Sequence, residues 1–181
     1  MLRREEIDFE LLRERDRMLI QTEDTEKTVD TLKNVFGISN IIISHTVDND
    51  IETIIDKSKE LSGDFKEDET FAIRATRKYK KYPLNSIDIE KRIADVIDMK
   101  VNLKKPDNII YVNVRAHNAD IYTDKIKGQG GLPIGASGRM LCLLSPGIDS
   151  PVAAWMMMKR GIIVDFLTFY NNEKNDTIKE L

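Results

Sequence analysis

The chain has 181 residues, 41% of them apolar and 33% charged, with a formal net charge of −3, enough apolar material for one or two cored domains. Its first residues, Met1-Leu-Arg-Arg-Glu-Glu-Ile-Asp8, lack the apolar core of a signal peptide, and no run approaches the ~18 apolar residues that span a bilayer; a cytoplasmic protein with no membrane segment is expected. The single cysteine, Cys142, excludes an intramolecular disulfide and a cysteine zinc cluster, and His45 and His117 have no ligand spacing to any partner, so no metal-binding side-chain set is assigned.

The charge is unevenly placed. Residues 1–69 carry 10 Lys/Arg against 19 Asp/Glu, residues 70–105 carry 10 against 4, and residues 106–181 carry 8 against 8. A basic segment inside an acidic chain is the electrostatic mark of a phosphate-rich partner.

In chain order, residues 17–23 read as a strand, and Val29, Leu32, Val35 and Phe36 recur at helical spacing before Gly37. A second strand is expected over Ile41 to Val47, then a helix from Ile51 to Leu61 and a polar loop from Ser62 to Glu69. Phe71, Ile73 and Ala75 alternate with Ala72, Arg74 and Thr76, the pattern of a half-buried strand whose polar face carries Arg74.

That strand runs into Arg77-Lys-Tyr-Lys-Lys-Tyr82-Pro83. Arg74, Arg77, Lys78, Lys80 and Lys81, with Tyr79 and Tyr82 interleaved, suit contact with an RNA backbone and stacking on an exposed base; the bland alternative is a solvated charged loop. Asn85 or Ser86 can cap a helix that turns Ile89, Ile93, Val96 and Ile97 inward. Ile109 to Ala116 and Asp120 to Ile126 then read as a β-hairpin, in which Arg115 serves an ion pair or an RNA contact equally well. These elements make an α+β domain ending near Lys127.

Gly128-Gln-Gly-Gly-Leu-Pro-Ile-Gly-Ala-Ser-Gly138 holds five glycines in eleven residues and reads as an interdomain linker. It is not a Walker A loop, because no Gly-Lys-Ser/Thr follows Gly135, and it is not G-x-G-x-x-G, because Pro133 takes the third glycine's place. Beyond it, strand 140–144, a tight turn, a helix from Pro151 to Arg160 closed by Gly161, and strand 162–169 form one βαβ unit. The turn lies at the carboxyl end of the first strand, where open α/β sheets bind ligands, and delivers Ser145 to Ser150 to a helix N-terminus that favours phosphate. Cys142, in the strand, reads as a small buried hydrophobe; Met156 to Met158 and Trp155 read as packing residues.

Ser145-Pro-Gly-Ile-Asp-Ser150 resembles the S-G-G-x-D-S pyrophosphate loop of the ATP-pyrophosphatase enzymes, in the version found in tRNA 4-thiouridine synthetase. Gly128 to Gly135 is similar to that family's lead into its loop, and Phe71-Ala-Ile-Arg74 through Tyr82-Pro83 is similar to its THUMP domain; the resemblance runs from about residue 17 to 170. It implies an α+β region, a ferredoxin-like remnant (1–36) plus THUMP (37–127), a linker (128–139), and the first βαβ unit of a Rossmann-like α/β ATP-pyrophosphatase domain (140–181). The implied activity is a tRNA sulfurtransferase that adenylates uridine 8 with ATP and Mg²⁺ and replaces the activated oxygen with sulfur from a persulfide donor such as a cysteine desulfurase. A role in thiamine thiazole synthesis and a homodimer are compatible with it.

Carried onto matching positions, Leu143, Leu144, Ser145, Gly147, Asp149 and Ser150 would line the nucleotide, with Asp149 also the catalytic candidate through the loop or Mg²⁺, and Thr168 and Phe169 would sit by the adenosine. Arg74, Arg77, Lys78, Lys80, Lys81 and Arg115 would meet tRNA. Pro146 stands where the family has glycine and removes one N–H donor. The resemblance also implies further catalytic sequence, including a sulfur-handling cysteine that Cys142 does not match, so a fragment or truncated product is expected. The competing readings are a non-catalytic tRNA-binding module with a degenerate loop, and another ATP-pyrophosphatase such as an amidotransferase-type ligase.

Overall fold

The computed structural model describes residues 1–14 and 17–169, and the chain falls into two units, residues 42–125 and residues 1–41 with 126 onward. The last part of the domain expected over 140–181, residues 170–181, lies outside the described residues. In chain order the elements are β1 (Glu10–Arg13), β2 (Met18–Gln21), α1 (Thr25–Leu32), β3 (Asn40–Ile41), β4 (His45–Asp48), α2 (Ile51–Ser62), β5 (Thr70–Arg77) and α3 (Ser86–Ala94). They continue with β6 (Lys100–Val101), β7 (Asn108–Val114), β8 (Asn118–Tyr122), β9 (Ile126–Lys127), β10 (Arg139–Leu143), α4 (Asp149–Lys159) and β11 (Ile163–Leu167). No helix of the described residues is long and apolar enough to cross a membrane.

The unit of residues 42–125 is a five-stranded mixed sheet in the order β4-β8-β7-β5-β6. β7 is parallel to β5 and β8 is antiparallel to both β7 and β4. The parallel β5/β7 pair needs a long crossover, which α3 and β6 supply. Alternation sends Ile110, Val112 and Val114 of β7 and Phe71 and Ile73 of β5 into one core with Ile54 of α2 and Ile89 and Ile93 of α3. Each such side chain contributes roughly 1.5–3 kcal/mol on full burial. Asp50 caps α2 by accepting from the amides of Glu52 and Thr53 at 3.1 and 3.2 Å. Of the two cap candidates for α3, Asn85 is the one, accepting from the Asp88 amide at 3.0 Å.

Three local expectations change. The strand read over Ile41 to Val47 is two strands in different sheets, because β3 pairs with β9 whereas β4 pairs with β8; Ile42 and Ile43, between them, are 40% and 48% exposed. Val96, expected inward, points outward, because α3 ends at Ala94 and the helical spacing is lost before it; Ile97 is buried as expected. Lys100–Val101 is an additional short edge strand, too polar and too brief to leave a periodic signal.

In the other unit, β1 and β2 form an antiparallel hairpin and Asp24 caps α1 through the Lys27 amide at 3.0 Å. β10 and β11 are parallel and joined through α4, the βαβ order expected from the sequence. Phe36, beyond α1, meets Trp155 of α4 edge to face at 5.4 Å. The glycine-rich segment is packed rather than free. The Gly37 amide donates to Gly130 O at 2.8 Å, and the Leu132 amide donates to Lys159 O at 3.0 Å. The amides of Gly135 and Ser137 both donate to Gly161 O, at 2.8 and 2.9 Å. Glycine is required at 131, where φ is +76° and a Cβ would stand 2.1 Å from Lys159 O.

Candidate functional site

β10 delivers the chain at Leu143, and the ladder continues one residue further with the Leu144 amide donating to Leu167 O at 2.8 Å. The turn that follows is closed by two serines. The Ser145 amide donates to Ser150 Oγ at 3.0 Å, the two hydroxyls are 3.1 Å apart, and Ser150 Oγ reaches Ser145 O at 3.3 Å. α4 then begins at Asp149 with Pro151 in its first turn, where the missing N–H leaves no bond unmade.

No side chain caps this helix: Ile148 holds the cap position, and neither Asp149 nor Ser150 accepts a first-turn amide. Pro146 and Pro151 therefore bracket four successive amides, Gly147, Ile148, Asp149 and Ser150. Among the described residues none of the four has an acceptor. Gly147 is conformationally ordinary, and a Cβ there would meet only Ser145 Oγ at 3.6 Å. The arrangement is an exposed row of N–H donors at the positive end of an 11-residue helix, the chemistry that holds a phosphate group. The residues present fit a phosphate group, such as one of a nucleotide.

Asp149 is exposed in this turn and Leu143 is 60% exposed. Leu144 and Thr168 are half-buried, and Phe169, at 80% exposure, stands beyond the end of β11. The fold thus puts Leu143 to Ser150 on one strand-to-helix turn and Thr168 and Phe169 just past the adjacent parallel strand. Cys142 is half-buried, with Sγ 4.0 Å from Ser150 O.

The basic segment divides differently from its sequence. Arg74, half-buried on β5, donates from Nη2 to Leu103 O at 2.6 Å and from Nη1 to Ile73 O at 3.3 Å. Arg77 donates from Nη1 to Tyr82 O at 3.2 Å and Leu84 O at 3.4 Å. Both guanidiniums are thus engaged with backbone carbonyls. Lys78, Lys80 and Lys81 lie exposed on the turn after β5, which is anchored by the Lys78 amide donating to Val114 O at 2.8 Å. Tyr79 is 36% exposed, but Tyr82 is 8% exposed in the core and is not available to a base. Burial, with a lesser contribution from Asp50, pushes the Tyr82 hydroxyl above its ordinary pKa.

Arg115 Nε donates to Asp120 Oδ2 at 3.0 Å, and Thr46 Oγ1 donates to Asp120 Oδ1 at 3.1 Å. Asp120 is 2% exposed, so this arginine neutralises a buried carboxylate. On the same sheet, Tyr111 and Tyr122 stack at 5.0 Å, with Lys125 Nζ 3.8 Å from the Tyr111 ring centre. Sequence reasoning passed over this stack, although Tyr111↔Tyr122 is a register pair of the expected hairpin.

Comparison with known proteins finds a family-model match in each unit. Residues 48–124 match the THUMP domain model, and residues 135–180 match the model for thiamine biosynthesis protein (ThiI). A "Probable tRNA sulfurtransferase" of Brevibacillus brevis is 41% identical over 155 residues, covering 82% of this chain and 39% of that protein. A protein of the same name from Methanocaldococcus jannaschii is 38% identical over 173 residues, covering 89% of this chain and 45% of that one. The chain thus spans about two fifths of the length of these curated relatives.

Among solved structures, PH1313 from Pyrococcus horikoshii Ot3 superposes with a TM-score of 0.86 at 30% identity, covering 99% of this chain and 61% of that one. A 4-thiouridine synthetase in complex with RNA and bound ATP gives 0.79 at 32% identity, covering 91% and 45%.

Proposed function

We propose that this chain, in which a THUMP domain runs into the start of a ThiI region, is the tRNA-binding and nucleotide-loop part of a tRNA sulfurtransferase. ATP activates uridine 8 of tRNA by adenylation, and sulfur from a persulfide donor replaces the activated oxygen to give 4-thiouridine. The observation that carries this reading is the row of four acceptor-free amides from Gly147 to Ser150, in one chain with a THUMP domain. The relatives' names and the neighbour that holds RNA and ATP support it.

In this reading the amides of Gly147 to Ser150 take the phosphates, Leu143, Leu144, Thr168 and Phe169 flank the nucleoside, and Asp149 orients a phosphate-bound Mg²⁺. Lys78, Lys80 and Lys81 take the RNA backbone. Pro146 leaves the four following amides in place, so the loop keeps phosphate-binding capacity without the glycine that the resemblance expects. A cysteine desulfurase is the donor class that fits the persulfide chemistry, the reaction belongs in the cytoplasm, and a homodimer and sulfur supply for thiamine thiazole synthesis go with the same reading.

ATP binding and tRNA binding, measured on the same preparation of the full chain, test it. Asp149→Ala is expected to weaken ATP binding in the presence of Mg²⁺ while leaving tRNA binding intact, and Lys80→Ala/Lys81→Ala is expected to do the reverse. If tRNA binds with a steep salt dependence and ATP does not bind at all, the chain is a tRNA-binding module and the nucleotide-loop assignment fails.

A further inference from the structure

We propose that the loop from β6 to β7, residues 102–107, together with Lys100 on β6, forms a second RNA-backbone contact, and that Arg74 acts by holding this loop in place. The inference rests on the tRNA-binding reading above. Lys100, Lys104 and Lys105 are all exposed, and among the described residues none of them makes an ion pair. The loop's one carboxylate, Asp107, is turned back to the sheet, where it accepts from the Thr70 amide at 2.9 Å and the Thr70 hydroxyl at 2.6 Å.

The loop is pinned throughout its length. Asn102 Oδ1 accepts from the amides of Lys104 and Lys105 at 3.2 and 3.1 Å, and Asn102 Nδ2 donates to Lys105 O at 2.7 Å. The Asn102 amide donates to Phe71 O at 2.9 Å and the Asp107 amide to Thr70 O at 3.0 Å. The Arg74 guanidinium closes the set on Leu103 O at 2.6 Å. This scaffold presents two adjacent lysines beside Leu103, an apolar side chain left 62% exposed.

Lysine on an edge strand can serve merely to discourage edge-to-edge pairing. That role would be met by Lys100 alone and gives no reason to fix the backbone around Lys104 and Lys105. Position argues for an extended polyanion. The loop runs beside β5 between Thr70 and Arg74, held there by Thr70 O, Phe71 O and the Arg74 side chain, and Lys78 to Lys81 follow the Arg77 end of the same strand. Two separate cationic groups along one rigid strand, four lysines or more in all, match successive phosphates of an RNA backbone better than a single small anion.

The test is tRNA binding by the full chain over a series of salt concentrations. Lys104→Ala/Lys105→Ala is expected to weaken binding about tenfold and to lower the salt slope by about two, since each phosphate that goes unneutralised lowers it by roughly one. If affinity and slope are unchanged in this variant while Lys80→Ala/Lys81→Ala loses both, the loop proposal is overturned and the tRNA-binding reading stands. If the unmodified chain does not bind tRNA, both fall.

A mutant cycle distinguishes a positioning role for Arg74 from direct RNA binding. Arg74→Ala should weaken binding in the unmodified chain and have no further effect in the Lys104→Ala/Lys105→Ala background; additive effects would overturn its positioning role. Asn102→Ala releases the same loop from its other side and decides the question in the same cycle if Arg74→Ala fails to fold.

Discussion

Ser150 ties both ends of the candidate nucleotide turn together, accepting the Ser145 amide and sharing a hydrogen bond with its hydroxyl. Ser150→Ala removes these bonds from an exposed turn, so a stability loss of only about 0.5–1.5 kcal/mol is expected, together with weaker ATP binding. Chemical denaturation and a nucleotide titration on the same variant check the two effects separately. Arg115 is the opposite case. Its carboxylate partner, Asp120, is buried, and Arg115→Ala removes the ion pair while the Thr46 hydroxyl bond remains, a loss expected to be larger than for Ser150→Ala and read as a lower denaturant midpoint. Asp107 links the same kind of reasoning to pH. Hydrogen bonds from the Thr70 hydroxyl and amide hold its carboxyl below the ordinary value of 3.8. A folded-state pKa lowered in this way contributes stability above pH 3.8 that is lost as pH falls through the lowered value. Acid titration followed by amide exchange at Thr70 should show loop 102–107 loosening only below that range, and Asp107→Asn should remove the pH dependence. The sequence made the serine turn and the cap region at Asn85 and Ser86 legible because cap and turn chemistry is local, and the structure then chose Asn85. It could not show that Arg74 is committed to the distant Leu103 carbonyl, because that depends on which strand lies beside which, nor that Arg77 folds back onto the carbonyls of Tyr82 and Leu84.

At the scale of elements, the glycine-rich segment is the part whose meaning changed most. Composition alone makes it a linker. In the fold it is the layer that closes the last turn of α4, through amides donating to Lys159 O and Gly161 O. Gly131→Ala would force a Cβ to within 2.1 Å of a backbone carbonyl at a positive φ, so both the strap and the end of α4 must shift. A fall in thermal midpoint is expected, larger than for Gly130→Ala, where φ is also positive but nothing lies within 4 Å. Differential scanning calorimetry of the two variants gives the comparison directly. The strand expected over Ile41 to Val47 shows the reverse relation. A run of apolar residues fixed the extended conformation, but pairing partners split it between two sheets. β6 is legible only after the fact, since two residues carry no period, and its importance comes from placing Lys100 and the loop that follows.

The two units of the molecule differ in how well their apolar surface is covered. Residues 42–125 bury a continuous core of Ile54, Phe71, Ile89, Ile93, Ile110 and Ile121, all at 0% exposure. Produced alone, this segment is expected to fold cooperatively, with a single unfolding transition by circular dichroism. In the other unit Leu141, Leu143 and Phe166 are 61%, 60% and 49% exposed on the β10/β11 pair, although parallel strands are ordinarily covered on both faces. The full chain is therefore expected to bind a hydrophobic dye more strongly than the 42–125 segment does, a difference that fluorescence titration would show.

By itself the sequence determined the α+β and βαβ elements, the strand–turn–helix that carries Ser145 to Ser150, and the presence of a basic segment, because periodicity, capping and short motifs are written within a few residues. Only the tertiary structure decided which cations of that segment remain free. Hydrogen-bond partners 20 or more residues apart turned Arg74 toward Leu103, while packing buried Tyr82 and left Lys80, Lys81, Lys104 and Lys105 facing solvent.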